Sequence, residues 1–284
     1  MQFEFPGALD VPDGRYLARS EDGQRVLVVE TVGAPPPPRR RRRRRRPKES
    51  DSGADLESLP LSRITVVRAE EPFESGAEAD RWLQEAIASE DSIEAAVADA
   101  IGLLNRALHA HAAASADPLG TELRTERAAA MRIGHGSGKE VATGRFSAAR
   151  EVDVRTTSGS RRRQRDEELR PQERLAAVLG GRERVDACET LILRARADLD
   201  AGRWREAALQ LRVALEAMLV ELGGALADPG HEKDMAELEA RRGEAGEAAN
   251  AALRGDLSVE DKHKVTELTE ICERVLRRRR VLRG

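Results

Sequence analysis

The sequence predicts an α+β N-terminal domain, a small sheet with two helices, followed by an all-α C-terminal helical bundle, so that the chain is mainly helical. Three observations carry this prediction. Short β-branched runs at 25–32 and 64–67 lie in the first quarter of the chain. Apolar residues at three- and four-residue spacing dominate 93–108 and 185–276, which is the period of one face of a helix. Only seven aromatic side chains occur in 284 residues, so the cores must be built from Ala, Leu, Val and Ile, which favours closely packed helices. That length gives room for roughly two domains.

The N-terminal domain is expected over 1–33 and 60–154. Residues 2–5 read as a short strand, and 16–19 with 25–32 flank Glu21-Asp22-Gly23, whose Asp-Gly pair suits a hairpin turn. Residues 64–67, in RITVVRAE, supply a third strand. Between them, 34–59 holds five prolines and eight consecutive arginines. With few apolar residues to offset ordering entropy, this insert is expected to be disordered. Ser75 and Glu78 match a capping box ahead of a helix with Ala79, Leu83, Ala86 and Ile87 on one face. Ile93, Val97, Ile101, Leu104 and Leu108 define a second helix, giving two helices on a three-stranded sheet. The segment after Thr121 mixes glycines with helix formers and offers one further strand, at 152–154. A polar linker over 155–170 then leads into the helical domain, 171–284.

Pro171 suits a first helical position, and Gly180-Gly181 stops that helix. A second carries Val185, Cys188, Ile192, Ala195 and Leu199. A third carries the strongest periodicity in the chain: Trp204, Ala208, Leu211, Leu215, Met218 and Leu222. A weaker helix over 235–253 is interrupted by Gly243 and Gly246. A last one, capped by Ser258 with Asp261, shows Val265, Leu268, Ile271, Cys272, Val275 and Leu276 on one face. Such amphipathic helices imply an antiparallel bundle or stacked helical hairpins. Gly202, Trp204, Ala207, Leu211 and Ala214 resemble the second half of a tetratricopeptide repeat. The resemblance stops at those residues, because Arg194 and Asp198 stand where that repeat has larger apolar side chains and no second copy follows.

Charge and motifs define the candidate sites. All but five of the 48 basic residues are arginine, which points to GC-rich, bacterial coding and lowers the weight of any one Arg cluster. The octet Arg39, Arg40, Arg41, Arg42, Arg43, Arg44, Arg45 and Arg46 has the charge density to bind phosphate backbones or other anions. It is set in a chain of net charge −3 and has no neighbouring aromatic for base stacking. Arg161–Arg165 and Arg277–Arg283 read as solvated ends, the second placed to complement a helix dipole. Gly134, His135, Gly136, Gly138 and Lys139 form a glycine-rich ligand-facing loop. It departs from a nucleotide-binding loop, with Ile133 where a glycine is needed and Glu140 where a hydroxyl is needed. Arg106 and His111 have the Arg-x4-His spacing of HEPN-type ribonucleases, which they resemble in that spacing alone; Ala107 replaces a usually polar position.

No cofactor and no metal site is expected. His109 and His111, two apart, diverge on a helix, and Cys188 and Cys272 form no CxxC pair. No run approaches a membrane span, and no signal peptide is apparent, so the expected compartment is the cytoplasm. With no catalytic constellation in line, the leading expectation is a non-enzymatic interaction or regulatory protein. It would bind a protein partner or itself through the helical module, with Trp204, Leu211, Leu215 and Met218 as the contact residues. Nucleic-acid association through the Arg octet is the alternative, and a hydrolase or nuclease the third.

Overall fold

The computed structural model describes residues 1–20, 23–33, 60–68, 72–153, 171–224 and 228–283. The chain divides into two compact units, Met1–Ser158 and Gly159–Gly284. It is a mixed α+β protein with an antiparallel sheet toward the N-terminus and a mostly helical C-terminal half.

The first unit holds a six-stranded sheet, larger than the small sheet expected. Its strands are β1 (Gln2–Pro6), β2 (Gly14–Ser20), β3 (Gly23–Val32), β4 (Leu61–Arg68), β5 (Ala130–His135) and β6 (Ala148–Glu151), in the order β2-β3-β4-β1-β5-β6. β1 is central, hydrogen-bonded to β4 and β5, and Phe3 and Phe5 are buried. The hairpin between β2 and β3 closes with Ser20 opposite Gly23, as the Asp-Gly signal predicted. β3 and β4 pair from Arg25↔Arg68 to Val32↔Leu61. Residues 34–59, outside the described residues along with the Arg octet, therefore connect two strand ends that lie side by side. Long insertions at such a point add little closure cost.

The missed strands come from the segment that reads poorly in sequence. β5 alternates buried Met131 and Ile133 with outward Arg132. β6, Ala-Ala-Arg-Glu, has no β-branched residue and exists by pairing with β5. The strand expected at 152–154 is displaced to 148–151, where the Ala-rich segment lies against β5.

Helices α1 (Gly76–Ala86) and α2 (Glu90–Ser115) cover one sheet face. Ser75 caps α1 by accepting from the Glu78 amide, while the Glu78 carboxylate accepts from the Glu74 amide at 2.7 Å, a capping box shifted by one residue. Val97, Leu104 and Leu108 of α2 are buried against Leu27, Ile64 and Met131. Arg25, buried on β3, is neutralised by Asp99 of α2.

Among the described residues of the second unit every regular element is a helix: α4 (Pro171–Leu179), α5 (Ala187–Asp200), α6 (Trp204–Leu222), α7 (Pro229–Ala240), α8 (Arg242–Arg254) and α9 (Val259–Arg283), with the short α3 (Gly138–Ala142) belonging to the first unit. The helix expected over 235–253 is two helices divided at Arg241. The glycines credited with breaking it lie inside α8, whose buried face is Ala245, Ala248, Ala249 and Ala252. Ser258 accepts from the Asp261 amide at 3.1 Å as expected. α6 packs against α5, α7, α8 and α9.

Candidate interaction face

The α5–α6 hairpin is set by local chemistry. Gly202, at φ +71°, turns the chain where only glycine is unstrained, and the Arg203 amide donates to the Asp198 carbonyl at 2.8 Å. α6 then runs nineteen residues to Gly223. Its predicted stripe is buried: Ala208, Leu211, Leu215, Met218 and Leu222 are at most 1 % exposed, and Ala207 and Ala214 are fully buried. The small side chains at 207 and 214 let α5 approach closely.

That burial relocates the expected contact residues. Leu211, Leu215 and Met218 lie in the protein's own core against Ile192, Leu238 and Cys272, where no partner reaches them. Trp204 is half-buried at the helix start, with the Lys262 ammonium 5.5 Å from its ring centroid. The adjoining cleft of about 180 Å³ mixes Arg203, Arg205 and Lys262 with Glu206 and Asp256.

The other side of α6 carries a second apolar stripe. Leu209, Val213 and Val220 are 36, 55 and 83 % exposed, and at 100° per residue they lie opposite the buried stripe. Periodicity alone missed them because the first stripe was the longer one. Hydrogen bonds hold the flank toward α8. Arg242 grips Glu216 at 2.8 Å through Nε, Arg212 donates to Asn250 Oδ1 at 3.3 Å, and Arg205 donates to the Ala252 carbonyl at 2.7 Å. Beside α6, Leu193 on α5 and Leu253 on α8 are 62 and 65 % exposed. α4 has no buried residue, and its Leu175 and Leu179 face water.

The remaining candidates resolve differently. Gly134 and His135 belong to β5, and Gly138 and Lys139 open α3, so the glycine-rich run is a strand, a two-residue link and a helix start rather than a loop. Two of its glycines, Gly134 and Gly136, serve packing. A Cβ on Gly134 would lie 2.7 Å from that of Ala149, and one on Gly136 2.9 Å from the Ser147 nitrogen. The His135 ring is paired through Nε2 with Asp80 Oδ1 of α1 at 2.9 Å and stands edge-on to Phe73. Arg106 is exposed and His111 half-buried on α2.

Of the arginines near the end of α9, Arg278, Arg279 and Arg280 are not a solvated end, while Arg277 is exposed. Arg279 pairs with Asp186 and, at 3.6 Å, Glu189; Arg280 reaches Glu189 at 3.8 Å; Arg278 reaches Asp228 and Asp234 at 3.5 and 3.4 Å. Glu189, 3 % exposed, also receives Arg174 at 2.5 Å. These pairs tie α9 to α5 and α7, and Glu189 links α5 to α4 as well, which no reading of 277–283 alone can show. Burial pushes the thiols of Cys188 and Cys272 up to about 12, Cys188 being raised further by Glu221, so neither is a nucleophile near neutral pH. Among the described residues no helix is long and apolar enough to cross a membrane. Comparison of the chain with protein-family models, curated proteins and solved structures gives no match in any of the three.

Proposed function

We propose that the protein is a non-enzymatic interaction or regulatory protein whose C-terminal helices form a bundle that binds a protein partner through the outer face of α6. The observation that carries this reading is the second apolar stripe. A helix whose apolar residues lie on two opposite sides has more apolar surface than one core can cover, and Leu209, Val213 and Val220 remain in water. Aliphatic residues flanked by Arg212 and Glu216 give the apolar centre and charged rim of an interface.

The test places a photo-crosslinking residue at Val213 or Val220 in cells, with Arg150 on β6 as an exposed control. The expected result is one discrete adduct from the α6 positions and none from the control, with co-purification of that partner lost in Val213→Arg at an unchanged melting temperature. Absence of an adduct at both α6 positions overturns the proposal.

The run Arg39–Arg46 motivates a second reading, sequence-independent binding of duplex DNA or RNA. Retention that falls steeply with salt and disappears when the octet is replaced by Gly and Ser is the expected behaviour. Unchanged retention after that replacement refutes it.

A further inference from the structure

We infer that the occupant of the α6 outer face is a second copy of this chain, the two α6 helices lying antiparallel about a two-fold axis. This rests on the interaction reading and names its partner. The seam is Leu209, Val213, Glu216 and Val220, spaced four, three and four, the repeat by which two helices pack side by side. Three of its positions are apolar and exposed; the fourth is a carboxylate, and that carboxylate decides the orientation.

In a parallel pairing each residue meets its own copy, so Glu216 faces Glu216 across the seam and two like charges approach while losing water. In an antiparallel pairing Leu209 lies opposite Val220 of the other copy and Val213 opposite Glu216. Arg212, one turn before Glu216 on the same flank, is then brought beside the other copy's Glu216. The two registers agree. The midpoint of Leu209 and Val220 falls between residues 214 and 215, and that of Arg212 and Glu216 falls on 214, a difference of about 0.8 Å of helix rise. A two-fold axis that buries the apolar stripe thus also forms two Arg212–Glu216 pairs.

The charged groups of this flank suit the arrangement. Within its own chain Arg212 hydrogen-bonds the neutral amide of Asn250 and lies one turn from Glu216, whose carboxylate it helps to hold low, and pairing adds the other copy's Glu216 to its surroundings. Glu216 keeps Arg242 on the side toward α8.

Sedimentation equilibrium of the full chain across two decades of concentration tests the inference. A reversible dimer is expected. Val213→Arg should convert it to a monomer at unchanged melting temperature, and Arg212→Glu should weaken it by about tenfold or more. Orientation is read from Leu209→Cys and Val220→Cys, since the native cysteines are buried and silent. Mild oxidation of the two variants mixed should give a mixed disulfide dimer, and each variant alone should stay largely uncrosslinked. A monomer at every concentration overturns the inference, as does preferential disulfide formation by Leu209→Cys alone. If the photo-crosslinked adduct contains another protein and the chain sediments as a monomer, the interaction reading stands and the second copy is refuted. If neither an adduct nor a dimer forms, both fail.

Discussion

Leu211 and Val213 stand two residues apart on one helix and face opposite ways, so truncating each to alanine measures the two-sidedness of α6 directly. Leu211 is fully buried among core side chains of α5, α7 and α9. Its truncation removes about 2 kcal/mol of apolar transfer and leaves a cavity that the surrounding helices only partly close, for a total loss of about 3 kcal/mol. Val213 is 55 % exposed; its truncation gives up little burial and gains a few tenths of a kcal/mol in helix propensity, so its stability should stay within about 0.5 kcal/mol of wild type. Urea unfolding followed by circular dichroism at 222 nm gives both numbers, and the Leu211 variant should melt about 10 °C lower. Leu211→Asp, an unpaired charge in the same place, should prevent the helical unit from folding. Equal losses for the two alanine variants, or a loss below about 1 kcal/mol for Leu211→Ala, would refute the assignment of inner and outer faces.

Three further perturbations follow from the same geometry. Glu189→Gln removes the charge that answers Arg174, Arg279 and Arg280 and should cost about 3 kcal/mol in urea unfolding, as for breaking a buried ion pair; a negligible shift of the midpoint would make the cluster ornamental. Gly134→Ala drives a methyl group into the backbone of β6 and should cost about 1–3 kcal/mol, with faster amide exchange along β5 and β6; wild-type stability would show that the strands have room to part. The cysteines give a pH dependence. Their folded pKa values, raised to about 12, exceed the unfolded value of about 8.5. The native state therefore holds the proton longer, and the resulting stability is complete below pH about 8.5 and lost as pH rises toward 12, at about 1.4 kcal/mol per thiol per pH unit. A thiol reagent at neutral pH should find neither cysteine until denaturant is added and both afterwards. Labelling of native protein would show that one of them is accessible.

Much of this molecule is local chemistry, and local chemistry is legible in sequence. The caps at Ser75 and Ser258, the turn before Gly23, the glycine at 202 and the inner stripe of α6 each depend on residues within a few positions of one another. Three- and four-residue periodicity reports helix faces for the same reason. What escaped depends on distant partners. β6 is a strand only because β5 offers it hydrogen bonds. The arginines ending α9 are counter-ions because Asp186 and Glu189 are brought to them from about ninety positions away. The glycines at 134 and 136 read as a loop until β6 and its approach are in place.

The inner face of α6 shows the division most clearly. Sequence established that Trp204, Leu211, Leu215 and Met218 share one side of a helix, and that Leu209, Val213 and Val220 are apolar too. Which of the two sides is buried was decided by the tertiary structure. Hydrophobic burial has no direction of its own, so a helix apolar on opposite sides turns inward whichever face its neighbours fit best. Here α5, α8 and α9 close over the side with the small residues Ala207, Ala208 and Ala214, and the other side is left in water.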